Sequence, residues 1–165
     1  MMNRKIDDPL LALAARLGGA ALARGAMIAT AESCTGGLVA GAITAISGSS
    51  AWFERGFVTY SNLAKEQQLG VAPSTIERFG AVSGEAALEM AQGALRGAPA
   101  QWAVAVTGIA GPEGGSPDKP VGTVWFAWAG PDHLQTLKRQ FDGDRTAVRE
   151  ASVRVALEGL VDRLA

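Results

Sequence analysis

A serine hydroxyl attacks a carbonyl when a neutral base stands ready to take its proton, and residues 47–65 hold the parts for the lysine version of that chemistry. The stretch opens with Ser47-Gly48-Ser49-Ser50 and runs through Tyr60 to Lys65. A serine of this stretch reads as the nucleophile, Lys65 as the base, and Tyr60 as the group that relays the proton or orients the amine. With Asn62 as a helix cap, Lys65 falls in the first turn, where the positive end of the helix dipole disfavours a cation. Partial burial pushes its pKa the same way. The competing reading of Lys65 is a solvated surface lysine. The other nucleophilic chemistries lack parts. The single histidine, His133, lies beside a turn far from every glycine-rich junction, so a Ser-His-Asp arrangement is not expected. The single cysteine, Cys34, has no histidine to partner it and reads as a buried structural residue. One His, one Cys and scattered carboxylates offer no metal-ligand spacing, so neither a metal nor a cofactor is expected.

Three junctions read as binding elements. The turn Glu32-Ser33-Cys34-Thr35-Gly36-Gly37 lies between a buried strand and a helix. Free N–H groups at a helix start hold anions, glycines permit close approach, and the hydroxyls of Ser33 and Thr35 add donors. It lacks the Gly-Lys-Ser/Thr of a phosphate loop and the G-x-G-x-x-G of a dinucleotide site, and its plainer reading is a tight polar turn. Thr107-Gly108 opens a Gly- and Pro-rich loop after a strand, the place where α/β sheets bind ligands. Arg145 sits at the start of the last helix, the end that disfavours a cation, so a bidentate grip on a phosphate is its functional reading and a solvated arginine the plain one.

The elements that must position these groups follow from pattern. Asp8 and Pro9 begin a helix whose apolar face is Leu10, Leu13, Leu17 and Ala21, with Gly25 as its stop. Met27–Thr30 is a short buried strand, and 38–46 a helix of small residues. Strands are expected over 52–60, 102–106, 121–128 and 134–141, the last two as a hairpin. Asn62 caps a helix to Leu69, Ser74 and Glu77 have capping-box spacing, Ser83 caps a longer helix, and Asp144 caps the last. Alternation early and a hairpin late give one mixed sheet with helices on both faces, an α/β class.

Composition narrows the setting. The chain has 165 residues, net charge −1 and an isoelectric point near 5.8. That is one domain's length, 1–165, without a basic run of the kind nucleic-acid binders show. No apolar stretch is long enough to cross a bilayer, and Asp7-Asp8 interrupt what would be a leader's apolar core. A cytoplasmic protein without membrane or nucleic-acid partners is expected.

The same segments resemble the CinA C-terminal domain family. Ala31-Glu32-Ser33-Cys34-Thr35-Gly36-Gly37, Gly48-Ser49-Ser50, Gly56 to Asn62, Gly108-Ile109-Ala110-Gly111-Pro112, Lys119 to Val124 and Gly143-Asp144-Arg145 occur in that family's order. The resemblance implies a three-layer α/β/α sandwich, commonly a homodimer, and an amidase acting on nicotinamide mononucleotide. It places the functional positions at Ser33, Ser50, Tyr60, Lys65, Thr107 and Arg145. The mechanism expected from it has Ser50 attack the carboxamide carbon, with backbone amides near Ser50 or Thr107 holding the oxyanion. The roles of Ser33 and Ser50 are interchangeable at this level, and Lys65 with Tyr60 activating water directly is a second version. A non-catalytic nucleotide sensor or a partner-binding module linked to competence is the alternative from a different class.

Overall fold

The computed structural model describes residues 6–165; the Met1–Lys5 part of the segment read above as unlike a leader lies outside them. The chain runs α1 (Asp8–Ala23), β1 (Ile28–Glu32), α2 (Leu38–Thr44), a 3-10 turn (Ser49–Ala51), β2 (Phe53–Val58), α3 (Asn62–Leu69), α4 (Pro73–Phe79), α5 (Gly84–Arg96), β3 (Trp102–Gly108), β4 (Thr123–Gly130), β5 (His133–Gln140) and α6 (Arg145–Leu164). The five strands form one sheet in the order β2-β1-β3-β4-β5. β1 pairs in parallel with both β2 and β3, while β4 and β5 are antiparallel additions at the other side. The α/β class, the mixed sheet and the late hairpin are therefore as expected.

Side chains alternate across the sheet because successive residues of a strand face opposite ways. Trp102, Val104 and Val106 of β3 and Val124, Phe126 and Trp128 of β4 join one core with α1, α2 and α6. The residues between them, Ala103, Ala105, Ala127 and Ala129, join a second core with Ala87, Met90, Ala91 and Ala94 of α5. Large side chains thus fill one layer, and alanines let α5 lie close on the other face.

Several starts differ by a residue from the sequence reading. Asp7, not Asp8, caps α1 by accepting from the Leu10 amide at 2.7 Å. Ser61, not Asn62, caps α3, accepting from the Ala64 amide at 3.0 Å. The Ser74/Glu77 capping box does not form. Pro73, with its φ preset for a first helical position, starts α4 earlier and leaves Ala72 at the cap. Ser83 and Asp144 cap α5 and α6 as read.

Register sets the site. Glu32 lies opposite Val58 on one side and Val106 on the other. The residues that follow, Ser33, Thr59 and Thr107, therefore share one edge at the carboxyl ends of three parallel strands. The Thr59 amide donates to the Glu32 carbonyl at 2.8 Å and the Ser33 amide to that of Val106 at 2.9 Å. The chain leaves β1 toward β2 and crosses back over to β3, so this edge is the point where α/β sheets open a crevice.

Candidate active site

Lys65 enters this edge from α3. The C-terminal end of α3 packs on α5 at Gly93, where any side chain would collide with the Leu69 carbonyl. That close approach seats α3 low enough to sink Lys65, which is 1% exposed. Its Nζ lies 2.9 Å from Ser33 Oγ, 2.8 Å from the Thr59 carbonyl and 3.3 Å from the Tyr60 carbonyl. All three partners are uncharged, and no carboxylate is bonded to the amine among the described residues. Burial without a counter-charge lowers the Lys65 pKa to about 8. A neutral amine has two N–H bonds and one lone pair. The charged amine donates to all three partners; once it loses a proton, the two carbonyls can keep its N–H bonds and the lone pair can accept from the Ser33 O–H. With Ser61 as the cap, Lys65 makes the first intrahelical bond of α3 to the Ser61 carbonyl, so burial rather than the helix dipole is the cause of its shift.

The serine at the amine is Ser33, and the structure does not bring Ser50 there. Ser50 is exposed in the 3-10 turn that enters β2. Lys65 follows the far end of that strand, and six extended residues span roughly 20 Å. Tyr60 also differs in detail from its reading. Its backbone carbonyl steadies the amine, while its exposed phenol accepts from Arg145 Nη2 at 3.0 Å. Cys34 is buried and free, and burial pushes its thiol up to about 11, as a structural residue requires.

The turn that carries Ser33 is held from below by Glu32. This fully buried carboxylate accepts from the Thr35 hydroxyl at 2.7 Å and from the amides of Val39 at 2.8 Å and Ala40 at 3.0 Å. The anion seated at the start of α2 is thus the chain's own. Of the groups read as an anion cradle over 33–37, the Thr35 hydroxyl is taken by Glu32 and the Gly36 amide by the Ser33 carbonyl. Gly36 and Gly37 have φ of 56° and 103°, and their role is the left-handed turn itself. Thr107 donates to the Ala81 carbonyl at 2.8 Å, tying β3 to the loop before α5. Gly108 lies where a Cβ would crowd Val124 and the Thr123 carbonyl, so strand pairing explains it.

Arg145 does face an opening. Its Nη1 donates to the Gly111 carbonyl at 2.9 Å, and it lines an open cleft of about 440 Å³ with Ala110, Pro112, Val121 and 143–146. Arg145 links this cleft to Tyr60, whose phenol it bonds and whose carbonyl holds the Lys65 amine. Sequence reasoning passed over three residues: Thr59, whose carbonyl orients the amine, Glu32, and Arg149. The signal for Glu32 was an acid just ahead of a helix start. For Arg149 it was the spacing of four from Arg145, which puts both on one helix face. No group of three or more His, Cys, Asp or Glu able to hold a metal occurs among the described residues.

A family model described as the CinA C-terminal domain matches residues 10–164. The nicotinamide-nucleotide amidohydrolase PncC of Enterobacter agglomerans is 60% identical over 138 residues, 83% of this chain and 84% of that one. The protein of the same name from Escherichia coli (strain K12) is 56% identical over 155 residues, 93% of this chain and 94% of that one. The crystal structure of the competence/damage inducible protein CihA from Agrobacterium tumefaciens superposes with a TM-score of 0.93 at 50% identity, covering 96% of this chain and 98% of that chain.

Proposed function

The chain belongs to the CinA C-terminal domain family, and from that premise we propose that it is an amidohydrolase converting nicotinamide mononucleotide and water to nicotinic acid mononucleotide and ammonia. The names of the relatives at 54–60% identity support the activity. The observation that carries the chemistry is the buried, uncompensated Lys65 amine at 2.9 Å from Ser33 Oγ.

In this reading Ser33 Oγ attacks the carboxamide carbon as neutral Lys65 takes its proton. The fixed positive charge of the pyridinium ring makes that carbon more electrophilic. Lys65 returns the proton to the leaving nitrogen, the C–N bond breaks, and ammonia departs from a Ser33 ester. Water then attacks the ester with Lys65 again as base, and the acid is released. Thr59 and Tyr60 hold the amine in place through their carbonyls, and Arg145 at the cleft takes the phosphate. The proposal extends to a role in pyridine nucleotide salvage in the cytoplasm, where a free thiol such as Cys34 persists. It extends also to a homodimer. The exposed Leu38, Val58 and Leu63 near edge strand β2 are apolar surface that a second copy would cover.

The test is ammonia release from nicotinamide mononucleotide by the purified chain, with Arg145→Ala beside it. The wild type releases ammonia. The variant's KM rises, on the order of tenfold or more for loss of a charge-assisted pair, for the mononucleotide and not for the riboside. Tight binding without ammonia refutes the amidase, and an equal loss with both substrates refutes the phosphate role.

A further inference from the structure

The turn that presents Ser33 is fixed unevenly. Its start is pinned where the Ser33 amide meets the Val106 carbonyl, and its end where Glu32 holds the amides of Val39 and Ala40. Between these points the backbone of 34–36 has two local bonds, from the Gly36 amide to the Ser33 carbonyl and from the Leu38 amide to the Thr35 carbonyl, each at 3.0 Å, and the Cys34 carbonyl has neither. Among the described residues, one side chain from elsewhere in the chain reaches that backbone. Arg149 of α6 donates through Nε to the Cys34 carbonyl at 3.1 Å and through Nη2 to the Thr35 carbonyl at 3.3 Å.

The guanidinium is suited to the task. Its donors form a rigid planar fork, so two bonds to successive carbonyls fix the orientation of two peptide planes, which a lysine's point charge cannot do. Arg149 is half-buried and both of its hydrogen bonds go to the turn. One helical turn earlier, Arg145 bonds the Gly111 carbonyl and the Tyr60 phenol. The first two turns of α6 therefore join the serine turn, the Gly111 loop and Tyr60, whose carbonyl also holds the Lys65 amine.

We infer that Arg149 is a positioning residue for the reaction, clamping the 34–36 backbone so that Ser33 Oγ stays in line with the Lys65 amine. The inference rests on the Ser33–Lys65 reading proposed above. A displacement of about 1 Å at a reacting atom costs on the order of 10²-fold in rate, and the loss falls on kcat, because the clamp touches no substrate.

The experiment compares wild type, Arg149→Ala, Arg149→Lys and Ser33→Ala by steady-state ammonia release across pH 6–10, with melting temperatures. Arg149→Ala is expected to lose on the order of 10²-fold in kcat. Its KM stays within about twofold and its pH inflection stays that of the wild type. Arg149→Lys falls between the two, and millimolar guanidinium restores part of the Arg149→Ala rate. Wild-type kcat in Arg149→Ala overturns the inference, as does a loss confined to KM or a loss that tracks melting temperature without guanidinium rescue. Should Arg149→Ala not fold, the kcat, KM and pH profile of Arg149→Lys decide by the same criteria. Full activity in Ser33→Ala would instead refute the underlying serine assignment, an outcome separate from wild-type kcat in Arg149→Ala with an inactive Ser33→Ala.

Discussion

Ser33 and Ser50 stand in turns of similar make-up, each with a glycine and a second hydroxyl residue close by in the chain, yet the fold gives them opposite surroundings. Ser33 leaves the carboxyl end of a central strand, is 8% exposed and meets a buried amine. Ser50 enters the amino end of an edge strand and faces solvent. Ser50 is nearer to Lys65 along the chain, but β2 runs between them and carries them apart. What makes a serine a nucleophile candidate here is the end of the strand it occupies. Carboxyl ends of parallel strands bring several loops to one crevice, and the amino ends of β1 and β2 face the opposite edge of the sheet.

The largest expected effect tests that contrast directly. Ser33→Ala should lower kcat for ammonia release by about 10³-fold or more, the scale on which serine hydrolases depend on their nucleophile, while Ser50→Ala stays within about fivefold of wild type, as for a residue outside the reacting group. The reverse ranking would return the nucleophile to residue 50 and require a base other than the Lys65 of the same chain.

Lys65 offers the next contrast, between the folded and unfolded chain. With its pKa lowered to about 8, the neutral base accumulates as pH rises, so kcat/KM should climb through about pH 8 to a plateau above it. Stability carries the same sign. Between about pH 8 and the ordinary lysine value of 10.5 the unfolded chain holds a proton that the folded chain has released, so stability rises with pH across that window. Below pH 8 the cost of burying the charge is fully present. Lys65→Met removes this term, and the melting temperature of wild type relative to that variant should increase from pH 8 to 10. A flat difference would mean that the amine titrates normally.

The smallest effect concerns the support of the serine turn. Glu32→Gln keeps one acceptor oxygen but turns an NH2 toward an amide, at either the Val39 or the Ala40 side. A loss of about 2 kcal/mol is expected from that mismatch, read by denaturant unfolding with unchanged m-value. An unaffected midpoint would show that the start of α2 finds its stabilisation elsewhere, and that Ser33 and Ser50 differ less in support than in position.

Much of the fold was legible because it depends on local chemistry. Ser83 and Asp144 cap α5 and α6 as their types suggest, Pro9 and Gly25 bracket α1, and the β4–β5 hairpin follows from two β-rich runs around Pro131-Asp132. Asp7 and Ser61 show where such reading slips: two adjacent residues with capping side chains compete, and helix geometry selects one. The site was legible in part. Lys65, Tyr60 and Arg145 do lie together, but the tyrosine phenol meets the arginine and only its carbonyl meets the lysine. Thr35, Gly36, Gly37, Thr107 and Gly108 surround the site, and the bonds and contacts seen at Thr35, Thr107 and Gly108 are structural.

By itself the sequence determined which elements form, their order, and the stock of reactive groups: one buried thiol, one histidine away from the glycine-rich junctions, serines in turns and a lysine near a helix start. Those follow from interactions within a few residues, which composition and spacing encode. Only the tertiary structure decided that residues 33 and 65 meet, that Glu32 occupies the anion position at α2, and that Arg149 crosses from the last helix to the serine turn. These contacts depend on strand order and register, and a parallel sheet joins segments that no local pattern relates.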